Sequence, residues 1–209
     1  MGVENFLTFM ATALFFIMTP GIDTIFILNK SIGQGRKAGM YATLGINSGV
    51  LVHTAFAALG LSLLVAKSAL AFSVIKYLGA AYLVYLGVAK LMVAGNEGKA
   101  PAPAEVTGTG RQHYISGLVT NTLNPKVALF FLAFFPQFIR PEAINRPLPF
   151  LILGVTYAAM GMVWFLILTL FAAAFSEKLK HNPHVSKWIN KISGAVFLMM
   201  GLKIALAKR

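Results

Sequence analysis

Cysteine is absent from this 209-residue chain, which excludes disulfides, thiolate metal sites and thiol-based electron carriers. Acidic residues are scarce as well, six against eighteen lysines and arginines. Charged residues of both signs make up 11% of the chain, too few to cover an ordinary soluble domain. The formal net charge of +12 lies between apolar runs and gathers into no single basic face or tail. It therefore points to no nucleic-acid partner and reads as topology determinants at lipid headgroups. Alternating strands of about 10 residues, the mark of a membrane barrel, are missing. The opening Met1-Gly2-Val3-Glu4-Asn5 has no basic segment before the first apolar run, so that run is expected to be a span and not a removed signal.

What the chain has in excess is apolar length: 57% of its residues are hydrophobic and its mean hydropathy is +0.75. Its apolar runs are continuous and near the roughly 20 residues with which an α-helix crosses a hydrocarbon core. The fold class expected is therefore an all-α, multi-pass integral membrane protein. Six transmembrane helices are expected. The first runs from Phe6 to Leu28 and ends in the basic turn Lys30 to Lys37, and the second from Ala38 to Val65. The third reaches Met92, after which residues 95–111, rich in Gly, Pro, Ala and Thr, read as a flexible linker. The fourth covers His113 to Ile139 with an interruption at Pro136-Gln137, the fifth Phe150 to Phe175, and the sixth ends near Leu206. Residues 1–94 and 112–209 are thus two halves of three spans each, within a single transmembrane domain.

Inside the fourth run, Asn121-Thr122-Leu123-Asn124-Pro125-Lys126 places a helix start where a spanning segment should have none. Asn satisfies free backbone N–H groups as an N-cap, and Pro at the next position lacks the donor that would go unpaired. Thr19-Pro20-Gly21, with Asp23 just beyond, reads as a second copy of the device in the first run. The stretches Lys76 to Leu83 and Lys191 to Leu198 share the pattern Lys-x-x-Gly-Ala-x-aromatic-Leu. A repeat of three spans must enter the bilayer upside down in its second copy. The expected architecture is two inverted three-helix repeats with broken helices in spans one and four, the plan of many secondary transporters. Basic residues are in slight excess in the turns one-two, three-four and five-six, which places both termini outside the cytoplasm.

A helix restarted inside lipid exposes N–H groups and the positive end of a dipole, which a substrate carboxylate could meet. Pro20 and Pro125 could instead be simple kinks, re-satisfied by nearby Thr and Asn side chains. Asp23 is the only carboxylate inside an expected span and Lys126 the only basic residue in the middle of one. Ionisable groups in that position are expensive and usually functional. Asp23 could receive a substrate amino group or a coupling proton, with Lys126 steering a carboxylate or holding Asp23 between cycles. A permanent structural ion pair is the other reading. His53 suits proton coupling by its near-neutral titration, or packs as a hydrogen-bonded residue. Asn47 and Asn121 could bind polar substrate groups or bond across helices. The candidate site is accordingly Asp23, Lys126, Asn124, Pro125, Asn121, Pro20, Gly21, Asn47 and His53, with no metal and no cofactor.

The segments Pro20-Gly21-Ile22-Asp23-Thr24, Gly33 to Gly39, Lys76 to Gly87, Asn124-Pro125-Lys126 and Phe135-Pro136-Gln137-Phe138 together resemble the lysine exporter family. Within it they are most similar to the homoserine, threonine and neutral amino-acid efflux proteins of bacterial inner membranes. The resemblance covers nearly the whole chain. It implies export of amino acids or close derivatives, homoserine lactone included, driven by the proton-motive force, by a protein that is not an enzyme. The partners it implies are the amino-acid substrate, protons and the lipid bilayer. Ile22 stands where the family usually has a second proline, and Val50 where many members carry an acidic residue, which favours neutral substrates. A divalent-cation exporter of similar architecture is the alternative; it would need several carboxylates or histidines around one cavity. An intramembrane hydrolase using Ser48 and His53 would have its two groups on different faces of one helix. The small-residue faces of spans two and three suit a homodimer.

Overall fold

The computed structural model describes residues 2–61, 69–93 and 108–172, together with part of residues 191–206. Most of the expected linker, most of the basic segment before the sixth run and part of the second repeated octapeptide lie outside the described residues. Among the described residues the chain is helical, apart from one isolated antiparallel bridge between Val3 and Ile139.

Helix α1 (Phe6–Met18) ends at Thr19, and α2 (Ile22–Phe56) begins after an extended Pro20-Gly21 link. Helix α2 is two limbs, not one rod. Gly35 sits at φ 84°, ψ 168°, a backbone that only glycine adopts without strain. A Cβ on Gly39 would collide with the Ser31 hydroxyl, although eight residues of straight helix span about 12 Å. The chain therefore doubles back at Gly35. The expected eight-residue basic turn shrinks to one glycine, because helix resumes on both sides of it. The limbs of α2 are residues 22–34 and 36–56, at the places of the second half of the expected first span and of the expected second span.

A π-helical turn (Ala57–Leu61) closes the second limb, and α3 is Ala69–Val93. Helix α4 (Gly110–Thr122) starts two residues inside the expected linker. There Thr109 and Gln112 form a capping box, each side chain meeting the other's backbone N–H. It satisfies two free N–H groups at once. Helix α5 (Pro125–Leu129) follows a break at 46° to α4 and continues as a π turn (Phe130–Phe134) and a 3-10 turn (Phe135–Phe138). Pro136 supplies the interruption expected there, since it has no N–H for the helical ladder. Helix α6 (Pro147–Leu170) begins at a proline, three residues before its expected start.

By length and composition Pro147–Leu170 is apolar enough to cross a membrane, as is Ile22–Gly60 when its two limbs are counted together, and α4 with the α5 segment is a third, bent candidate. Glycines set how closely the helices meet. A Cβ on Gly45 or Gly117 would strike the Tyr114 or Ala42 carbonyl, so the second limb and α4 lie backbone to backbone, in parallel. Thr43 meets Thr169 at 3.1 Å and Thr54 packs at Gly154, so α6 runs antiparallel to that limb. Gly87 of α3 meets Gly194, and Gly201 meets Ala80, again antiparallel. Of the small residues expected on spans two and three, Gly39, Gly45, Gly49 and Gly87 pack within the chain, while Gly60 meets nothing within 4 Å; packing drives association in lipid, and such residues are where backbones can approach.

Candidate functional site

Each half of the two expected broken spans has 13 or 14 residues, about 20 Å of helix, and the two breaks meet: Lys126 reaches the end of α1 and Asn121 bonds Asp23. At the second break Asn124 is the N-cap, its Oδ1 accepting the Lys126 N–H at 3.0 Å, with Pro125 in the first helical position. This is the start signal expected from the sequence. The first break is built differently. Thr19 caps the C-terminus of α1, its hydroxyl donating to the Phe15 carbonyl at 2.8 Å, and Pro20 lies in the link instead of opening α2. The two breaks are therefore not copies of one capping device, as the sequence had suggested. Gly21 stands where α2 begins with no side-chain cap, which leaves the first-turn N–H groups of α2 facing Asp23.

Lys126 answers the objection that a cation opposes the dipole of its own helix. Its Nζ crosses to the end of α1 and donates to the carbonyls of Thr19 at 2.8 Å and Phe16 at 2.9 Å, over the Phe16 ring at 4.7 Å. Carbonyls at a helix C-terminus lack intrahelical donors and carry partial negative charge, so the ammonium serves α1 while its charge also acts on Asp23.

Asp23 lies in the first turn of α2, buried, and its Oδ2 accepts from Asn121 Nδ2 at 2.8 Å. A carboxylate deep in a membrane helix costs about 2.5–3.5 kcal/mol. A helix N-terminus returns up to ~2 kcal/mol and a charge-assisted hydrogen bond ~1.5–3 kcal/mol. The burial is thus tolerated with one oxygen to spare: Asp23 Oδ1 has no hydrogen-bond partner, and neither has Asn121 Oδ1. His53, buried beneath them, donates Nε2–H to the Asn121 carbonyl at 3.1 Å; a carbonyl only accepts, so that nitrogen carries the proton. His53 thereby holds the end of α4 on which Asn121 sits.

These groups line a cavity with Thr24, Phe16, Ile17, Val50, Val127, Tyr157 and Phe165. Its volume is about 20 Å³, enough for a water and too small for an amino acid. Of the expected site residues, Asp23, Lys126, Asn121, Asn124 and Gly21 come together at it, with Pro20 and Pro125 as the links behind them. His53 touches the site through Asn121. Asn47 is elsewhere, bonded through Nδ2 to the Thr43 carbonyl at 3.2 Å and to Met162 Sδ at 3.8 Å. Ser48 accepts from the Tyr114 hydroxyl at 2.9 Å, turned away from His53. Sequence reasoning missed Tyr157 and Phe165, because inside a uniformly apolar helix nothing distinguishes a cavity-lining ring from a lipid-facing one. Among the described residues no three of His, Asp or Glu gather as metal ligands, so the divalent-cation reading finds no site in them.

Two helix breaks that meet around a buried carboxylate, in a chain of apolar helices, give an enclosed polar site of the kind a membrane translocator needs. The family model for the LysE type translocator matches residues 14–208, and the chain belongs to that family. It is 33% identical over 213 residues to the uncharacterized membrane protein YrhP of Bacillus subtilis, covering 98% of this chain and all of that one. It is 32% identical over 215 residues to an uncharacterized membrane protein of Vibrio cholerae, with both chains fully covered. A leucine efflux protein of Salmonella typhimurium is 30% identical, over 98% of this chain and 96% of its own. No solved structure matches the chain.

Proposed function

We propose that this protein exports neutral amino acids across the bacterial inner membrane by proton antiport with alternating access, its six spans arranged as two inverted three-helix repeats. One observation carries the reading: a carboxylate with an unpartnered oxygen and an ammonium stand where two helix breaks meet, around one cavity lined also by Asn121, Asn124, Thr24, Tyr157 and apolar side chains. An amino acid has the complementary set. Its α-ammonium fits Asp23 Oδ1, and its carboxylate fits the Lys126 ammonium. An aliphatic side chain fits Val50, Val127 and Phe165. The leucine efflux relative supports a side chain of that kind, with threonine, homoserine and its lactone as smaller candidates.

Coupling follows from exclusion. Asp23 holds either a proton or a substrate ammonium, since both need the same oxygen, and a carrier that must exchange one for the other is an antiporter. The cavity is smaller than the cargo, so loading requires the helices to part on one side. The antiparallel contacts of α3 with residues 194 and 201, and of α1 with the α5 segment, support the inverted arrangement.

The test is counterflow of labelled leucine, threonine and homoserine in everted vesicles, with and without a proton gradient. Asp23→Asn keeps the shape and the Asn121 contact and loses the charge; efflux is expected to fall by about 100-fold, the equivalent of one strong charge-assisted bond, with the protein still monodisperse in detergent. Normal proton-linked efflux by this variant refutes the site.

A further inference from the structure

Between the cavity and the Gly35 turn, the interior keeps polar atoms that nothing in the fold uses. Among them are Asn47 Oδ1, Ser31 Oγ and Gln34 Oε1, each buried without a hydrogen-bond partner. Asn47 is only 4% exposed and Ser31 6%. The Asn47 amide cannot simply be flipped, because its Nδ2 donates to the Thr43 carbonyl; its oxygen faces outward from that bond. A buried amide oxygen left unmade costs about 1–3 kcal/mol. Three in succession are a persistent expense with no structural return.

Their placement is linear. Asp23, Ile27, Ser31 and Gln34 lie on one face of the first limb of α2, spaced by three or four residues. Ser31 abuts Gly39, which abuts Thr169; Thr169 bonds Thr43, and Thr43 holds Asn47. The Phe165 ring stands close to both Asn47 and the cavity. A Cβ added at Gly161 would stand 3.5 Å from Asn47 Oδ1 and 3.9 Å from Phe165 Cε2, so amide and ring flank the same gap, and Phe165 is also a cavity wall.

We infer that these residues form a polar half-channel from the Asp23 cavity to the membrane face at Gly35, with Asn47 Oδ1 a second station for the substrate's ammonium group and Phe165 the side chain that closes it. The inference rests on the proposed amino-acid transport and adds its route. Every orphan atom on it can accept a hydrogen bond, as an ammonium group requires. Amide, hydroxyl and carboxylate oxygens follow one another along the 20 Å or so of the limb.

The absence of cysteine makes the test direct. Asn47→Cys, and separately Ser31→Cys, are exposed in vesicles of both orientations to impermeant thiosulfonates carrying either a trimethylammonium or a sulfonate group. The expected result is labelling from the Gly35 face only, about tenfold or more faster for the cation, as in clefts of one polarity. Saturating substrate slows it and Phe165→Ala speeds it. Gly161→Ala, whose added methyl meets its neighbours at ordinary contact distance, slows both labelling and efflux without weakening equilibrium substrate binding. Labelling of neither cysteine from either face, in protein that still transports, overturns the half-channel and leaves the transport reading intact. Equal rates for cation and anion overturn the ammonium station. Loss of all amino-acid transport by the unmodified protein refutes the broader function instead.

Discussion

On either side of the two helix breaks the interior is made of different material. Toward Gly35 it is threaded by Ser31, Thr43, Asn47 and Thr169. Toward the opposite face, where Glu4 N–H bonds the Phe138 carbonyl, it is a plug of phenylalanines. Phe16 lies tilted on Phe130 at 4.3 Å, Phe131 likewise on Phe135 at 4.1 Å, and Phe9 meets Phe135 and Phe138 edge-on at 5.5 and 5.3 Å. Tyr157 belongs to both worlds, its ring 5.1 Å from Phe130 while the residue lines the Asp23 cavity. One side is thus held by hydrogen bonds with acceptors in excess, the other largely by close-packed rings.

The difference is open to attack from its strongest point downward. Phe130 is fully buried and touches four other rings. Truncation to alanine is expected to cost about 3–5 kcal/mol of stability, seen as a large fall in detergent melting temperature. It should also open the plug, so that Ala13→Cys, inert in the parent, reacts with impermeant reagents. Continued inertness would show that the seal lies elsewhere. Next comes Lys126, which ties the start of α5 to the end of α1 at the boundary between the two materials. Lys126→Met keeps the length and loses the two carbonyl contacts, and efflux should drop by about tenfold or more; an undiminished rate would make the ammonium dispensable to the boundary. The smallest effect belongs to Asn124→Ala. It removes one cap, worth about 1 kcal/mol, and should lower thermal stability slightly while leaving substrate selectivity unchanged. A change in selectivity would move Asn124 from scaffold to ligand.

Much of this was legible in the residues, and the exceptions have physical reasons. Asn124-Pro125 announced its helix start because capping is a local property of two adjacent residues. Gly35 was visible as part of a turn, but its basic neighbours suggested a wider loop than the backbone needed. Thr109 and Gln112 carried a capping box that the composition of the preceding linker obscured. Pro20 misled, since a proline in a link and a proline opening a helix look alike until the cap of the preceding helix is seen. Asn47 was grouped with Asp23 because both are polar groups in lipid; only the fold separates them. Phe165 and Tyr157 carried no signal at all, hydropathy being as high on the faces that meet lipid as on those that meet the cavity.

Under the proposed alternating access, the phenylalanine plug would also set a clock. A single ring such as Phe165 can change rotamer in nanoseconds once it has room, whereas interlocked rings on two helices move only when the helices do, in microseconds to milliseconds. Traffic through the two faces would then be unequal in tempo, rapid flicker on the Gly35 side and rare, collective opening on the other. The slow face, not the binding of cargo, would govern how many molecules leave the cell each second.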